Sequence, residues 1–186
     1  MKKLAILIIM ALFAFSVGKA QTEIADRGKM KEPKREIKSS RIPLKKLEGT
    51  TVSERAMNHF GEDFPKATDA KWERSGSFDQ VTFSSGDQKM TAYYDSDDNL
   101  VGSTTPKSLK DLPAKGRQEI KAKYGDYSVG PVIYFDDNAR IDTDMILWAS
   151  QFDDENMYFA ELNKGNSKII IKITPSGEVS FFKQLQ

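Results

Sequence analysis

The stretch that decides the fold is Phe60-Gly61-Glu62-Asp63-Phe64-Pro65-Lys66-Ala67-Thr68-Asp69-Ala70-Lys71-Trp72. Pro65 has no N–H to donate and pushes Phe64 out of the helical region, so a helix arriving from upstream must stop between Gly61 and Asp63. Before it, Thr51 and Glu54 are spaced as a capping box, and Val52, Ala56 and Phe60 fall on one stripe, which predicts a helix over 52–61. Phe60 and Phe64 are then placed to clamp that helix onto a sheet beginning at Trp72. His59, the only histidine, lies beside the stripe and is read as a helix-surface or packing residue, because a metal or catalytic role needs partners that a lone His does not advertise.

Downstream the period changes from helix to strand. Val81 and Phe83 alternate with Phe78, Gln80 and Thr82; Met90, Ala92 and Tyr94 alternate with Lys89, Thr91 and Tyr93. Gly86-Asp87 turns the first run into the second, and a turn over 95–99 leads to a third near 100–104, an antiparallel meander. Asp111-Leu112-Pro113 starts a second helix, with Leu112, Gly116, Ile120 and Tyr124 on one stripe and Gly125 ending it. Strands are then expected over 128–135, 144–152, 157–163, 168–174 and 179–183.

Laying Gly86 on Gly165 keeps the apolar register throughout: Phe83 meets Leu162, Met90 meets Ile169, Ala92 meets Ile171, Tyr94 meets Ile173 and Leu100 meets Val179. The expected fold class is α+β. Two tandem helix-plus-antiparallel-sheet units, residues 53–105 and 106–186, join into one sheet whose helices lie on one face. The other face is expected to stay open. By alternation it carries Phe78, Thr82, Tyr93, Phe159, Ile170 and Phe182, with Lys89, Lys168 and Lys172 between them, and an aromatic face of that kind suits a protein or peptide partner. The expected partner-binding residues are Phe78, Tyr93, Phe159, Ile170 and Phe182.

The matching residues Phe60, Phe64-Pro65, Ala67 and Trp72, the strand pair ending Tyr93-Tyr94-Asp95, and Leu112-Pro113 with Ile120 and Tyr124 give residues 52–183 a resemblance to the periplasmic PepSY-like family. The fold of that family resembles the beta-lactamase inhibitor protein. The resemblance implies a helix-plus-sheet unit used twice around a concave sheet, which in the inhibitor grips another protein. Unlike the disulfide-bearing inhibitors, this chain has 0 Cys.

Residues 1–20 have the make-up of a secretory signal: Lys2 and Lys3, an apolar run over 4–17, and small residues at Gly18 and Ala20. That run is shorter than the ~20 apolar residues a membrane-crossing helix takes. A periplasmic or secreted location follows as the expectation. Residues 21–52 hold nine basic and five acidic side chains without apolar periodicity and are read as a flexible basic leader. Residues 53–186 hold 16 basic and 22 acidic ones, so the body is acidic and unsuited to nucleic acid.

With 0 Cys and one His, thiol chemistry and triads needing a second His are excluded, and no phosphate loop, dinucleotide fingerprint or nucleophile elbow occurs. No cofactor and no metal is expected. Asp95, Asp97 and Asn99 imitate half of a calcium loop, but Leu100 takes the glycine position. Asp136, Asp137, Asp142 and Asp144 form a denser acidic stretch; both are read as turns. The alternative reading is a carboxylate-based calcium-binding or hydrolytic envelope protein centred on residues 136–144. Trp72 and Trp148 are expected in the core, on the strength of their apolar neighbours.

Overall fold

The helix expected from the 60–72 stretch is α1, Glu54–Asp63, and it ends one residue before Phe64. The structure, a computed structural model, describes residues 44–153 and 155–185; the signal segment and the leader up to residue 43 lie outside the described residues. Ser53 caps the helix, its hydroxyl accepting from the Arg55 N–H at 3.2 Å, so the cap falls after the expected Thr51. Ala56 and Phe60 are buried, and the Phe60 ring meets Phe64, Trp72 and Phe83 at centroid distances of 5.5, 5.5 and 5.0 Å.

The strands that follow are β1 (Thr68–Ser75), β2 (Phe78–Ser85), β3 (Gln88–Tyr94) and β4 (Leu100–Lys107). A 3-10 turn, Leu109–Asp111, leads into α2 (Ala114–Lys123) and β5 (Ser128–Asp137). A short pair, β6 (Met145–Leu147) and β7 (Ser150–Phe152), precedes β8 (Met157–Lys164), β9 (Ser167–Ile173) and β10 (Val179–Leu185). Eight strands make one antiparallel sheet in the order β1-β2-β3-β4-β5-β8-β9-β10, so each strand pairs with the next one in that sheet. The pair β6–β7 stands apart as its own two-stranded sheet. The fold is α+β, with both helices on one face of the large sheet.

Strand alternation divides that sheet cleanly. Under α1 lie Val81, Phe83, Ala92 and Tyr94; beneath α2 lie Val132, Ala160, Leu162, Ile169, Ile171 and Ile173. Gly116 stands on the buried stripe of α2 because a Cβ there would come within 2.8 Å of Ile173 Cγ2; any larger residue would lift the helix from the sheet. The two hairpins match in extent, for the shift that lays Gly86 on Gly165 also lays β2 on β8 and β3 on β9, end for end. Those two glycines share left-handed φ values of 58° and 55°, the conformation a two-residue hairpin loop demands. The helices and leading strands follow a shorter shift, which lays α1 on α2 and the start of β1 at Thr68 on the start of β5 at Ser128. The segment 138–156, which carries β6 and β7, makes up the difference between the two.

That segment corrects one expected strand. Residues 144–152 do not join the main sheet; they fold back on themselves, pairing Met145 with Phe152 and Leu147 with Ser150. Trp148 and Ala149 form the tip. Upstream of α1, Leu44 packs against the sheet, and the Leu47 N–H donates to the Gly76 carbonyl at 3.0 Å. Among the described residues no helix is long and apolar enough to cross a membrane.

Candidate binding site

The face turned away from the helices gathers one apolar cluster from strands across the sheet and from the inserted hairpin. Phe78 comes from β2, Tyr93 from β3, Val101 from β4, Ile133 and Phe135 from β5, Met157 and Phe159 from β8, and Ile170 from β9; Phe182 of β10 packs against them. All five residues expected to bind a partner, Phe78, Tyr93, Phe159, Ile170 and Phe182, therefore belong to a single cluster.

They are not an open surface. Phe78, Phe159 and Ile170 expose only 4%, 1% and 1% of their area, and Tyr93 and Phe182 are half-buried. What covers them is the 138–156 segment, whose Met145 and Phe152 are buried in the same cluster alongside Ile141, Ile146 and Leu147. Phe152 meets Phe159 at 4.9 Å and Phe135 at 5.2 Å, both edge to face, the arrangement aromatic pairs favour. The physical reason is plain: an apolar floor of this size left to water would cost about 25 cal/mol per Å², so a chain that buries it against its own hairpin is the more stable one.

Trp148 is the second correction. Rather than lying in the core it is 36% exposed at the hairpin tip, its indole resting over Phe159 at 5.6 Å and Phe182 at 6.3 Å. Both tip residues are left-handed, Trp148 with φ 48° and Ala149 with φ 54°. Asn-Gly or Asp-Gly would adopt that turn more cheaply, and each non-glycine residue held there costs of order 1 kcal/mol. Lys183 Nζ donates to the Ala149 carbonyl at 3.3 Å and ties the tip to β10. Trp72, in contrast, lies where its apolar setting predicts, on the helix side, 5.5 Å from Phe60 and 5.8 Å from Tyr94.

Beyond the hairpin the helix-free face turns polar. Thr82, Thr91 and Thr104 stand in register across β2, β3 and β4; the Thr82 and Thr91 hydroxyls lie 3.1 Å apart, as do those of Tyr93 and Thr104. Burial keeps the Tyr93 hydroxyl protonated above the usual tyrosine range. Lys89 and Lys168 are exposed there, the latter paired with Glu161 at 3.0 Å.

Between the hairpin tip and the β1–β2 turn opens a cleft of about 390 Å³. Phe78, Gln80 and Tyr93 form its floor, Ile146, Leu147 and Trp148 one wall, and the turn over 75–77 the other. Alternation alone could not find it, since it needs a hairpin whose strands read in the sequence as part of the sheet. A second cleft, of about 280 Å³, is charged, with Asp63, Asp136, Asp137 and Arg140 on its walls.

The acidic turns are held by their own backbone and near neighbours. Asp95 is 8% exposed, and its Oδ1 accepts from the N–H groups of Asp97 and Asn99 at 2.9 and 3.0 Å. Its Oδ2 accepts from Thr143 Oγ1 at 3.4 Å. Asp144 accepts from Gln151 Nε2 at 2.5 Å across the inserted hairpin. Among the described residues no group of three or more His, Cys, Asp and Glu side chains converges on a point where a metal ion could sit. His59 donates from Nδ1 to the Asp98 carbonyl at 2.6 Å, a tie between α1 and the β3–β4 turn.

Neither a protein-family model nor a curated protein matches the chain. Solved structures do. A BLIP-like protein from Bacteroides fragilis, 16% identical, superimposes with a TM-score of 0.57 over 73% of this chain and 87% of that one. A DUF2874 family protein from Bacteroides uniformis gives a TM-score of 0.59 at 15% identity, covering 72% and 90%. A candidate periplasmic protein from Bacteroides eggerthii gives 0.58 at 18% identity, covering 73% and 88%. At these identities the likeness is one of fold: the chain has the fold of the BLIP-like proteins.

Proposed function

We propose that this chain is an exported, non-catalytic module of the cell envelope that receives a protein or peptide partner on the helix-free side of its sheet. The observation that carries the reading is the Trp148 indole, held exposed in a costly backbone conformation directly above the aromatic cluster. Strain of that kind collects at binding and switching sites. The lysine-led hydrophobic segment at residues 2–17 supports export, and the fold-mate described as a candidate periplasmic protein agrees with it. The PepSY-like resemblance belongs to the same reading.

In this reading the five expected residues do not meet the partner equally. Phe78 and Tyr93 are reached through the uncharged cleft, Phe159 and Phe182 act through the indole that rests on them, and Ile170 supports the floor from below. A photo-crosslinker placed at Thr82 or Trp148 is expected to yield one discrete envelope-protein adduct, while the same group at Arg117 on α2 yields none. Adducts from Arg117 alone would overturn the reading.

A further inference from the structure

The cleft between the hairpin tip and the β1–β2 turn differs from the rest of the surface in one respect that names its occupant. Charged residues make up 30% of the chain, yet none of the described residues lining this cleft is charged. The charged cleft by the end of α1 holds Asp63, Asp136, Asp137 and Arg140, and the one at the β1 edge holds Asp69, Lys71 and Lys89. An ionised side chain would have to give up its water against walls that carry no charged side chain, Lys183 standing outside them on the Ala149 carbonyl, which is unfavourable. A neutral one would not.

The walls specify shape as well. Phe78 and Tyr93 stand edge to face at 6.0 Å, and Trp148 offers a third ring at the rim, so an entering flat ring finds faces and edges on three sides. At about 390 Å³ the volume lies toward the small end of the ligand-site range of roughly 300–1,000 Å³. Of the two polar side chains on the floor, Tyr93 is spent on Thr104, whereas the Gln80 side-chain amide has no hydrogen-bond partner among the described residues and can donate to one peptide carbonyl or accept from one peptide N–H.

Resting on the partner-binding reading above, we infer that this cleft takes an uncharged aromatic side chain of the partner polypeptide, with Gln80 bonded to the peptide group beside it. Trp148 and the 75–77 turn grip the ring from opposite sides, and the hairpin tip is held in its left-handed turn because that turn sets the indole at the rim. Lys183, bonded to the Ala149 carbonyl, fixes the width of the opening.

The chain's two tryptophans provide the measurement. In ¹⁵N-labelled protein the Trp148 indole N–H reports the cleft and the Trp72 indole N–H reports the opposite, helix-side core. Addition of N-acetyl-phenylalaninamide is expected to shift the Trp148 signal saturably and leave Trp72 in place; N-acetyl-glycinamide, which lacks the ring, should move neither. Ser77→Phe, which fills the opening from the turn, should abolish the shift while Trp72 keeps its position, showing the fold intact. Gln80→Leu, which keeps the floor apolar, should weaken binding about tenfold, the worth of one well-made hydrogen bond. No shift at Trp148, equal shifts at both indoles, or indifference to Ser77→Phe would overturn the inference. Crosslinks from Thr82 that persist while N-acetyl-phenylalaninamide fails would remove this cleft as the anchor and leave the partner-binding reading standing. A saturable shift with no crosslinks from this face would leave the cleft and remove that reading.

Discussion

The ring of Phe159 lies 5.6 Å beneath the indole of Trp148 and is itself 1% exposed, so the most exposed aromatic of the hairpin stands on one of the most buried of the sheet. Truncating the two has unequal consequences. Phe159→Ala opens a cavity bounded by Phe152, Phe182 and Ile133 and is expected to cost about 3–5 kcal/mol in urea unfolding. Trp148→Ala removes a partly exposed ring, and is expected to change stability by under about 1 kcal/mol. Comparable losses from both would show that the hairpin tip is core rather than rim.

A second pair holds the first unit together. Arg74 Nε and Nη2 reach Asp79 Oδ1 and Oδ2, each at 2.7 Å, and Asp79 is 1% exposed. The same carboxylate accepts the Ser53 N–H at 2.9 Å, and Arg74 Nη1 donates to the Glu48 carbonyl at 2.6 Å. One ion pair thus joins the β1–β2 hairpin, the start of α1 and the segment before it. Asp79→Ala strands a largely buried guanidinium and is expected to cost about 3 kcal/mol or more by denaturant titration. A loss below about 1 kcal/mol would mean that Arg74 finds water instead.

Alkaline stability follows from burial of tyrosine. Burial, the larger cause, and the Asp63 carboxylate beside it raise the Tyr94 hydroxyl above any ordinary tyrosine value; that hydroxyl donates to Asp63 Oδ2 at 3.0 Å. A folded pKa above the unfolded one means that the unfolded chain gives up the proton first. The stabilisation is whole below about pH 10 and declines above it by about 1.4 kcal/mol per pH unit for this residue. Tyr94→Phe should flatten that decline when unfolding is followed between about pH 9 and pH 11, and an unchanged slope would contradict it.

The paired hairpins were legible because such turns announce themselves: Gly86 and Gly165 sit in left-handed conformations that few other residues tolerate, and the strands either side keep one register when the two are overlaid. The cover was not legible, for a reason of the same kind. Met145-Ile146-Leu147 and Ser150-Gln151-Phe152 pass for stretches of one sheet strand, and local pattern carries no information on whether a strand pairs with the main sheet or with its immediate neighbour. The missing signal was a second offset. Laying Val52, Ala56 and Phe60 of the first helix stripe on Leu112, Gly116 and Ile120 of the second takes a shorter shift than laying Gly86 on Gly165, and an insertion between the second helix and the second hairpin reconciles the two. Trp148 follows from the same ambiguity, since a main-sheet strand would have carried it into the core and a hairpin tip does not. The aromatic set itself could be grouped from alternation, because the face a residue takes depends only on its place in its own strand.

The insertion yields the most direct test of what the hairpin is for. In the first unit Ser75 pairs with Phe78 across the turn Gly76-Ser77; in the second, Phe135 and Met157 form the corresponding pair. Deleting 138–156 and changing Asp136-Asp137 to Gly-Ser would therefore rebuild in the second unit the connection that the first already uses. The eight-stranded sheet and both helices should survive, since the apolar clusters beneath the two helices draw no residue from the segment removed, and far-ultraviolet circular dichroism should keep its shape. The floor of Phe78, Phe135, Phe159 and Ile170 would then face water. An apolar patch of that kind drives self-association, so strong binding of a hydrophobic dye and a concentration-dependent dimer in sedimentation are expected of the shortened chain and neither of the full one. A shortened chain that folds, stays monomeric and ignores the dye would show that the hairpin does not shield the face. One that fails to fold would show that the cover is part of the core itself, and its removal would then be repeated with only the tip 147–150 shortened, where dye binding without loss of the sheet is again the expected result.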